Sequence, residues 1–126
     1  MKKVLLDTNF LLLFVQQRMD VFSLVEEVLD DKTEFYIPDV CMDELKSLCS
    51  GKGKDAIAAR VALQLLKRRN VKAIRVEKEN CDDALMSVGM RKRMIVATND
   101  KKLRKRLKDL GLKTIYLRSK KYLEVD

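Results

Sequence analysis

The chain has 126 residues, 47% hydrophobic and 37% charged, with a net charge of +8 and no histidine. That size and balance fit one globular core and exclude a disordered chain. The missing imidazole excludes Ser-His-Asp and Cys-His nucleophile systems and His-ligated metals, so any catalysis must run on carboxylates, lysines or a metal held by oxygens. Lys2-Lys3-Val4-Leu5-Leu6-Asp7 reads as a buried strand covered on both faces, because its apolar residues are continuous. Thr8-Asn9 reads as a turn, and Phe10 to Gln17 as the start of a helix. Asp20 caps a second helix, in which Val21, Leu24, Val25, Val28 and Leu29 recur at helical spacing. Glu34 to Ile37 forms the next strand, stopped by Pro38, with Asp39 as the expected cap of a helix from Val40 to Cys49.

Ser50 to Asp55 (SGKGKD) is a solvated loop: it lacks the GxxxxGK[ST] spacing of a phosphate loop. Asp55 is the expected cap of a long helix, Ala56 to Arg69, with Ile57, Val61 and Leu65 inward. Val71 to Val76 reads as an edge strand, Asn80 as the cap of a helix carrying Cys81, Ala84, Leu85 and Val88, and Met94 to Ala97 as another buried strand. Lys101 to Leu110 is a basic helix ended by Gly111. Thr114 to Leu117 is a last strand, and a short tail follows to Asp126. Strands alternating with helices in this way predict a single three-layer α/β/α domain, Rossmann-like, around a central parallel sheet of about five strands.

Cys41, Cys49 and Cys81 are odd in number and lack CxxC spacing. They are expected as buried thiols in a reducing compartment, not as a disulfide frame or zinc site. Asp7 interrupts the first apolar run, no small-residue cleavage site follows it, and no run approaches the ~20 apolar residues of a membrane span. The expectation is a soluble, cytoplasmic protein with no membrane partner. The apolar Phe10 to Val15 segment has two readings, a homodimer surface or part of the core.

In a parallel α/β sheet, ligands bind beyond the carboxyl ends of the strands. Asp7 follows the first strand directly, and Asp100 follows the fourth after Thr98-Asn99. Glu44 lies one turn into the helix after the second strand, and Asp82 and Asp83 open the helix before the fourth. Each acid also has a plainer reading: Asp100 as a helix cap, Asp82 and Asp83 as ordinary first-turn acids, Glu44 as one acid among many. Asp7 sits inside an apolar run, where an unpaired carboxylate costs on the order of several kcal/mol. Two unit charges ~4 Å apart repel by about 4 kcal/mol at an effective dielectric of 20, so carboxylates meeting at one rim need a cation. An all-oxygen donor set selects Mg²⁺ or Mn²⁺. Asp82 and Asp83 point ~100° apart on a helix, so one of them faces the site, and the side shared with Leu85 and Gly89 favours Asp82.

The charge excess is concentrated around the fourth strand, in Arg91, Lys92, Arg93, Lys101, Lys102, Arg104, Lys105 and Arg106, with Lys108 beyond. A solvated helix face is one reading. Contact with an RNA backbone is the other, favoured because the run has few balancing acids. Lys67-Arg68-Arg69, Arg118, Lys120 and Lys121 are weaker candidates.

The motifs V-L-L-D-T-N at the start, E-L after the second strand, D-D-A-L, and I-V-A-T-N-D resemble, in this order, the four acidic motifs of PIN-domain endoribonucleases, over residues 3–117. The resemblance implies an α/β/α fold and Mg²⁺- or Mn²⁺-dependent hydrolysis of RNA phosphodiester bonds, leaving 5′-phosphate and 3′-hydroxyl ends. It makes Asp7, Glu44, Asp82 or Asp83, and Asp100 the metal-binding acids, with Asn9, Thr98 and Asn99 in support; the D-A-L match points to Asp83. Within the family the chain looks closer to ribosomal-RNA-processing nucleases of the Fcf1/Utp24 kind, partnered by ribosome-assembly proteins. The alternatives are a VapC-type toxin held by an antitoxin, and a PIN-like domain that binds RNA without cutting it. A haloacid-dehalogenase-like phosphatase needs a second Asp where Asn9 stands, and a phospho-receiver domain needs a Lys-Pro that is absent.

Overall fold

A computed structural model describes residues 1–77, 79–119 and 122–126. Among them six strands form one sheet in the order β3-β2-β1-β4-β5-β6: β1 (Lys2–Leu6), β2 (Thr33–Pro38), β3 (Lys72–Ile74), β4 (Ile95–Ala97), β5 (Thr114–Leu117) and β6 (Leu123–Val125). The first five are parallel and β6 runs antiparallel to β5. The helices are α1 (Thr8–Gln16), α2 (Val21–Leu29), α3 (Asp39–Cys49), α4 (Lys54–Arg68), α5 (Cys81–Lys92) and α6 (Lys101–Asp109). α1 packs against α2, α3 and α4, while α5 packs on β1, β2 and β4 and α6 on β5.

Val4, Leu5 and Leu6 are fully buried, as the continuous apolar run of a central strand requires. Leu5 pairs with Val96 and Leu6 with Ala97, so β1 and β4 end side by side. From β1 the chain builds outward one way to β3, then returns to build β4 and β5 on the other side. The carboxyl ends of β1 and β4 are therefore the switch point of the sheet, the place where sheets of this kind bind ligands.

Several expectations need correcting. Thr8-Asn9 is not a turn but the first turn of α1, which Asp7 caps through Asn9 N–H. Of the two readings of Phe10 to Val15 the core one holds for Phe10, Leu11, Leu12 and Phe14, which are buried. Asp39 is not a cap: it lies inside α3, and its Oδ1 accepts the Val76 N–H at 3.2 Å, tying α3 to the segment after β3. Gly53, not Asp55, precedes α4, and Asp55 instead accepts the Gln16 amide at 2.8 Å. In α4 the inward stripe is Ala56, Ala58, Ala59, Ala62 and Leu66. Ile57 and Val61 face outward, 58% and 40% exposed, because small alanines let α4 approach α1 and α3 where larger side chains would hold it off. Residues 122–126 are not a free tail; they return as β6.

The cysteines also differ from expectation. Cys41 and Cys81 form a disulfide across 40 residues of chain, leaving Cys49 as the free thiol. The pairing follows from α3 and α5 meeting at the carboxyl edge of the sheet. In the chain-entropy picture, closing a loop of that length is worth about 4 kcal/mol.

Gly89 is a packing requirement. A Cβ there would stand 3.1 Å from Val96 Cγ2 and 3.3 Å from Leu112 Cδ1, so its absence lets α5 lie close on β4. Gly111, at φ +80, supplies the left-handed turn that releases the chain from α6 into β5. No helix among the described residues is long and apolar enough to cross a membrane.

Candidate active site

Asp7 is 5% exposed, where β1 passes into α1. Its backbone N–H continues the sheet by donating to the Ala97 carbonyl at 3.0 Å. Its Oδ1 accepts the Asn9 N–H at 3.3 Å, and its Oδ2 accepts the Thr98 hydroxyl at 2.7 Å. The same Thr98 oxygen accepts the Asp100 N–H at 3.2 Å. One hydroxyl thus fixes the buried carboxylate and the loop carrying the next acid. Burial pushes the Asp7 carboxyl above its usual range; the Thr98 and Asn9 donors oppose the rise, and the charges of Asp82 and Asp100 add to it. Glu44 is also raised, by desolvation first and then by Asp7 and Asp82.

Asp7 therefore lies within electrostatic reach of Asp82 and Asp100, and Glu44 within reach of Asp7 and Asp82, each acid delivered by a different element at the carboxyl edge. Asp82, which opens α5, acts on both Asp7 and Glu44, whereas Asp83 is not among the charges felt by Glu44. The Asp83 N–H is taken by the Asn80 cap at 2.8 Å, and its side chain is exposed. Asp100 has both of its expected roles: its Oδ1 caps α6 by accepting from Lys102 and Leu103, at 2.9 and 3.2 Å, while its charge bears on Asp7.

The supporting residues divide. Thr98 is fully buried between two acids. Asn9 contributes its backbone N–H, and its side chain is exposed. Asn99 faces the sheet, its side-chain oxygen accepting the Leu117 N–H at 2.8 Å.

Among the described residues, no three Asp, Glu, Cys or His side chains are gathered tightly enough to hold an ion as they stand. The donor chemistry nevertheless fits a hard divalent cation. Every candidate ligand is a carboxylate oxygen, and the mutual repulsion felt at Asp7 and Glu44 is of the kind a cation relieves.

The basic residues separate by position. Lys101, Lys102, Lys105 and Arg106 are exposed on α6, which begins at the acid cluster. Arg91, Lys92 and Arg93 are exposed too, but at the far end of α5: Arg91 is nine residues beyond Asp82, about 14 Å at 1.5 Å per residue. They lie in the last turn and at the C-cap of α5. Arg104 also departs from expectation. Its guanidinium stacks 3.3 Å from the Tyr116 ring centroid and pairs with Asp126 at 3.4 Å, so it is engaged within the chain. Lys108 joins the same latch, 2.6 Å from Asp126, and the pairing holds the Asp126 carboxyl below its usual range. Lys120 and Lys121 lie outside the described residues.

Sequence reasoning missed Thr8. Its buried hydroxyl donates to the Cys41 carbonyl at 3.1 Å, tying the residue after Asp7 to the helix that carries Glu44. The position beside an acid inside an apolar run was the only available signal. The Arg104–Tyr116–Asp126 latch was hidden for a different reason: its members lie on α6, on β5 and just past β6.

A sheet whose acids gather at the β1–β4 switch point places this chain among α/β domains with an acid-lined site. A model of the PIN like domain matches residues 4–120, and the chain belongs to that family. It is 31% identical to Ribonuclease VapC4 of Methanocaldococcus jannaschii, over 99% of this chain and 97% of that protein. It is 32% identical to the rRNA-processing protein fcf1 of Schizosaccharomyces pombe, over 85% of this chain but 54% of that protein. The solved structure of the PIN domain endonuclease Utp24 superposes with a TM-score of 0.82 at 30% identity, covering 98% of this chain and 90% of that one.

Proposed function

We propose that this protein is a Mg²⁺- or Mn²⁺-dependent endoribonuclease acting in RNA processing. The observation that carries the reading is Asp7: a buried carboxylate held by two donors at the switch point, with Asp82 and Asp100 charging the same space. An acid placed there for stability alone would be an expensive choice. Family membership and the relatives named as ribonuclease and endonuclease support the same reading.

In this reading Asp7, Glu44, Asp82 and Asp100 hold the cation. Glu44 and Asp82 would meet it from exposed side chains. When bound, such an ion polarises a phosphoryl group and makes water a stronger nucleophile. Thr98 opposes the upward push of burial on Asp7 and aims its carboxyl by donating to Oδ2, and it fixes Asp100 through the backbone. Lys101, Lys102 and Lys105 hold RNA phosphates beside the acids, at the start of α6. Arg91, Lys92, Arg93 and Arg106 extend the interface away from the scissile bond. Phosphate contacts of this kind position RNA without reading its sequence.

Cleavage of labelled RNA by wild type and Asp7→Asn, with Mn²⁺, tests the reading. Loss of cleavage in the variant is expected. Equal cleavage by both would place the activity elsewhere, and no cleavage by wild type, with RNA still bound, would leave a non-cutting RNA-binding domain.

A second reading rests on the VapC4 match, which spans both proteins almost end to end: a toxin ribonuclease neutralised by an antitoxin. Growth arrest on expression, relieved by Asp7→Asn, would favour it over a processing role.

A further inference from the structure

The Cys41–Cys81 disulfide joins the two helices that carry Glu44 and Asp82. Cys41 is on the first turn of α3, three residues before Glu44 and on the same side of the helix; Cys81 is the first residue of α5, next to Asp82. The Cys41 carbonyl accepts the hydroxyl of Thr8, which follows Asp7. Three of the four acids therefore leave the backbone within about one helical turn of one covalent link. Both half-cystines are buried, Cys41 completely and Cys81 at 6% exposed, so the link has no latitude to swing.

The charges at this place repel. Asp7 and Asp82 both act on Glu44, and Asp82 acts on Asp7. Without a covalent tie, α3 and α5 could relieve that repulsion by moving their first turns apart. With Cα atoms 5.1 Å apart across the bond, they cannot.

We infer that the Cys41–Cys81 disulfide is a positioning cross-link for the cation site, holding α3 and α5 at the separation at which Glu44 and Asp82 take up a divalent ion together. The inference rests on the reading of these acids as cation ligands. A cross-linked scaffold meets the cost of gathering like charges during folding, so less of it remains at the binding step. Reduction by a dithiol breaks the S–S bond, protonates both sulfurs and closes a disulfide in the reagent. The acids keep their chemistry but lose their fixed spacing.

Thiol counting and Mn²⁺ calorimetry test the inference without any cleavage assay. Denatured without reductant, the protein should show one thiol, Cys49; three thiols would mean no cross-link and would overturn it. Mn²⁺ titration of the oxidised wild type, Cys41→Ala/Cys81→Ala and Cys49→Ala should give affinity weakened about tenfold or more in the double variant only, the size seen when outer groups that orient metal ligands are removed. Should the double variant not fold, wild type reduced with dithiothreitol and desalted without air replaces it, and reoxidation should restore affinity. Unchanged Mn²⁺ affinity after loss of the bond, with Asp7→Asn abolishing binding, would make the disulfide a staple of the fold and nothing more. Failure of oxidised wild type itself to bind Mn²⁺ would remove the cation site, and this inference with it.

Discussion

The Thr98 hydroxyl donates to Oδ2 of Asp7 at 2.7 Å, joining residues 91 positions apart just past the ends of neighbouring central strands. Because the same oxygen accepts the Asp100 N–H, Thr98→Val would strip partners from a buried carboxylate and from a backbone donor at once. Each group left unsatisfied costs roughly 1–3 kcal/mol. Chemical denaturation should register a loss of roughly 2–6 kcal/mol for the two groups together, and RNA cleavage should fall by more than tenfold. Thr98→Ser, which keeps the hydroxyl, should recover most of both; a valine variant as stable and active as wild type would remove Thr98 from the site.

The raised Asp7 carboxyl gives stability a sign with pH. An acid whose folded pKa lies above its unfolded value binds its proton more tightly in the native state. The native state is thus spared below about pH 3.8 and loses stability as pH rises from there through the folded pKa. Asp7→Asn removes this loss, since the amide stays neutral and can donate back to Thr98. The variant should be more stable than wild type at pH 7, with the gap closing as pH falls toward the unfolded value. Unfolding midpoints of both proteins across pH 3 to 8 would show it, and a constant gap would contradict it.

The α5 acids should separate in metal binding. Asp82 acts on Asp7 and Glu44, whereas Asp83 is among the charges felt by neither. Calorimetry with Mn²⁺ should show marked weakening for Asp82→Asn. Asp83→Asn should change stability by only the ~0.3–1 kcal/mol of a first-turn acid and leave affinity near wild type. Reversed results would exchange the roles.

Basic residues on α6 should separate in the same way. Lys101→Ala/Lys102→Ala/Lys105→Ala should weaken RNA binding and flatten its dependence on salt, by roughly 0.7 in log–log slope for each single-strand phosphate no longer neutralised. Arg104→Ala should leave that slope unchanged and lower thermal stability, because Arg104 is spent on Tyr116 and Asp126. Fluorescence anisotropy across a salt series, with melting curves of the same variants, distinguishes the two effects.

The parallel α/β sheet and the acids at its carboxyl edge were legible because β1 and β4 are uninterrupted apolar runs and Asp7 breaks the pattern where a site should be. Local caps were legible where the side chain bonds its own helix, as at Asp20 and Asn80. Asp39 and Asp55 escaped, since their carboxylates serve distant partners, Val76 and Gln16. The face of α4 was misjudged because burial there follows small size rather than greater hydrophobicity. The disulfide, the Thr8 link and the inward turn of Arg104 depend on which helices meet, information that no local pattern carries.

One consequence follows from the two borders of the sheet. β3 and β6 are three residues each, and Lys72 on β3 pairs with Glu34 at 3.8 Å. Borders so short and so charged offer an incoming strand too few free backbone groups to extend the ladder. A chain whose central strands are rich in aliphatic residues is thereby guarded, while folded, against stacking into fibrils.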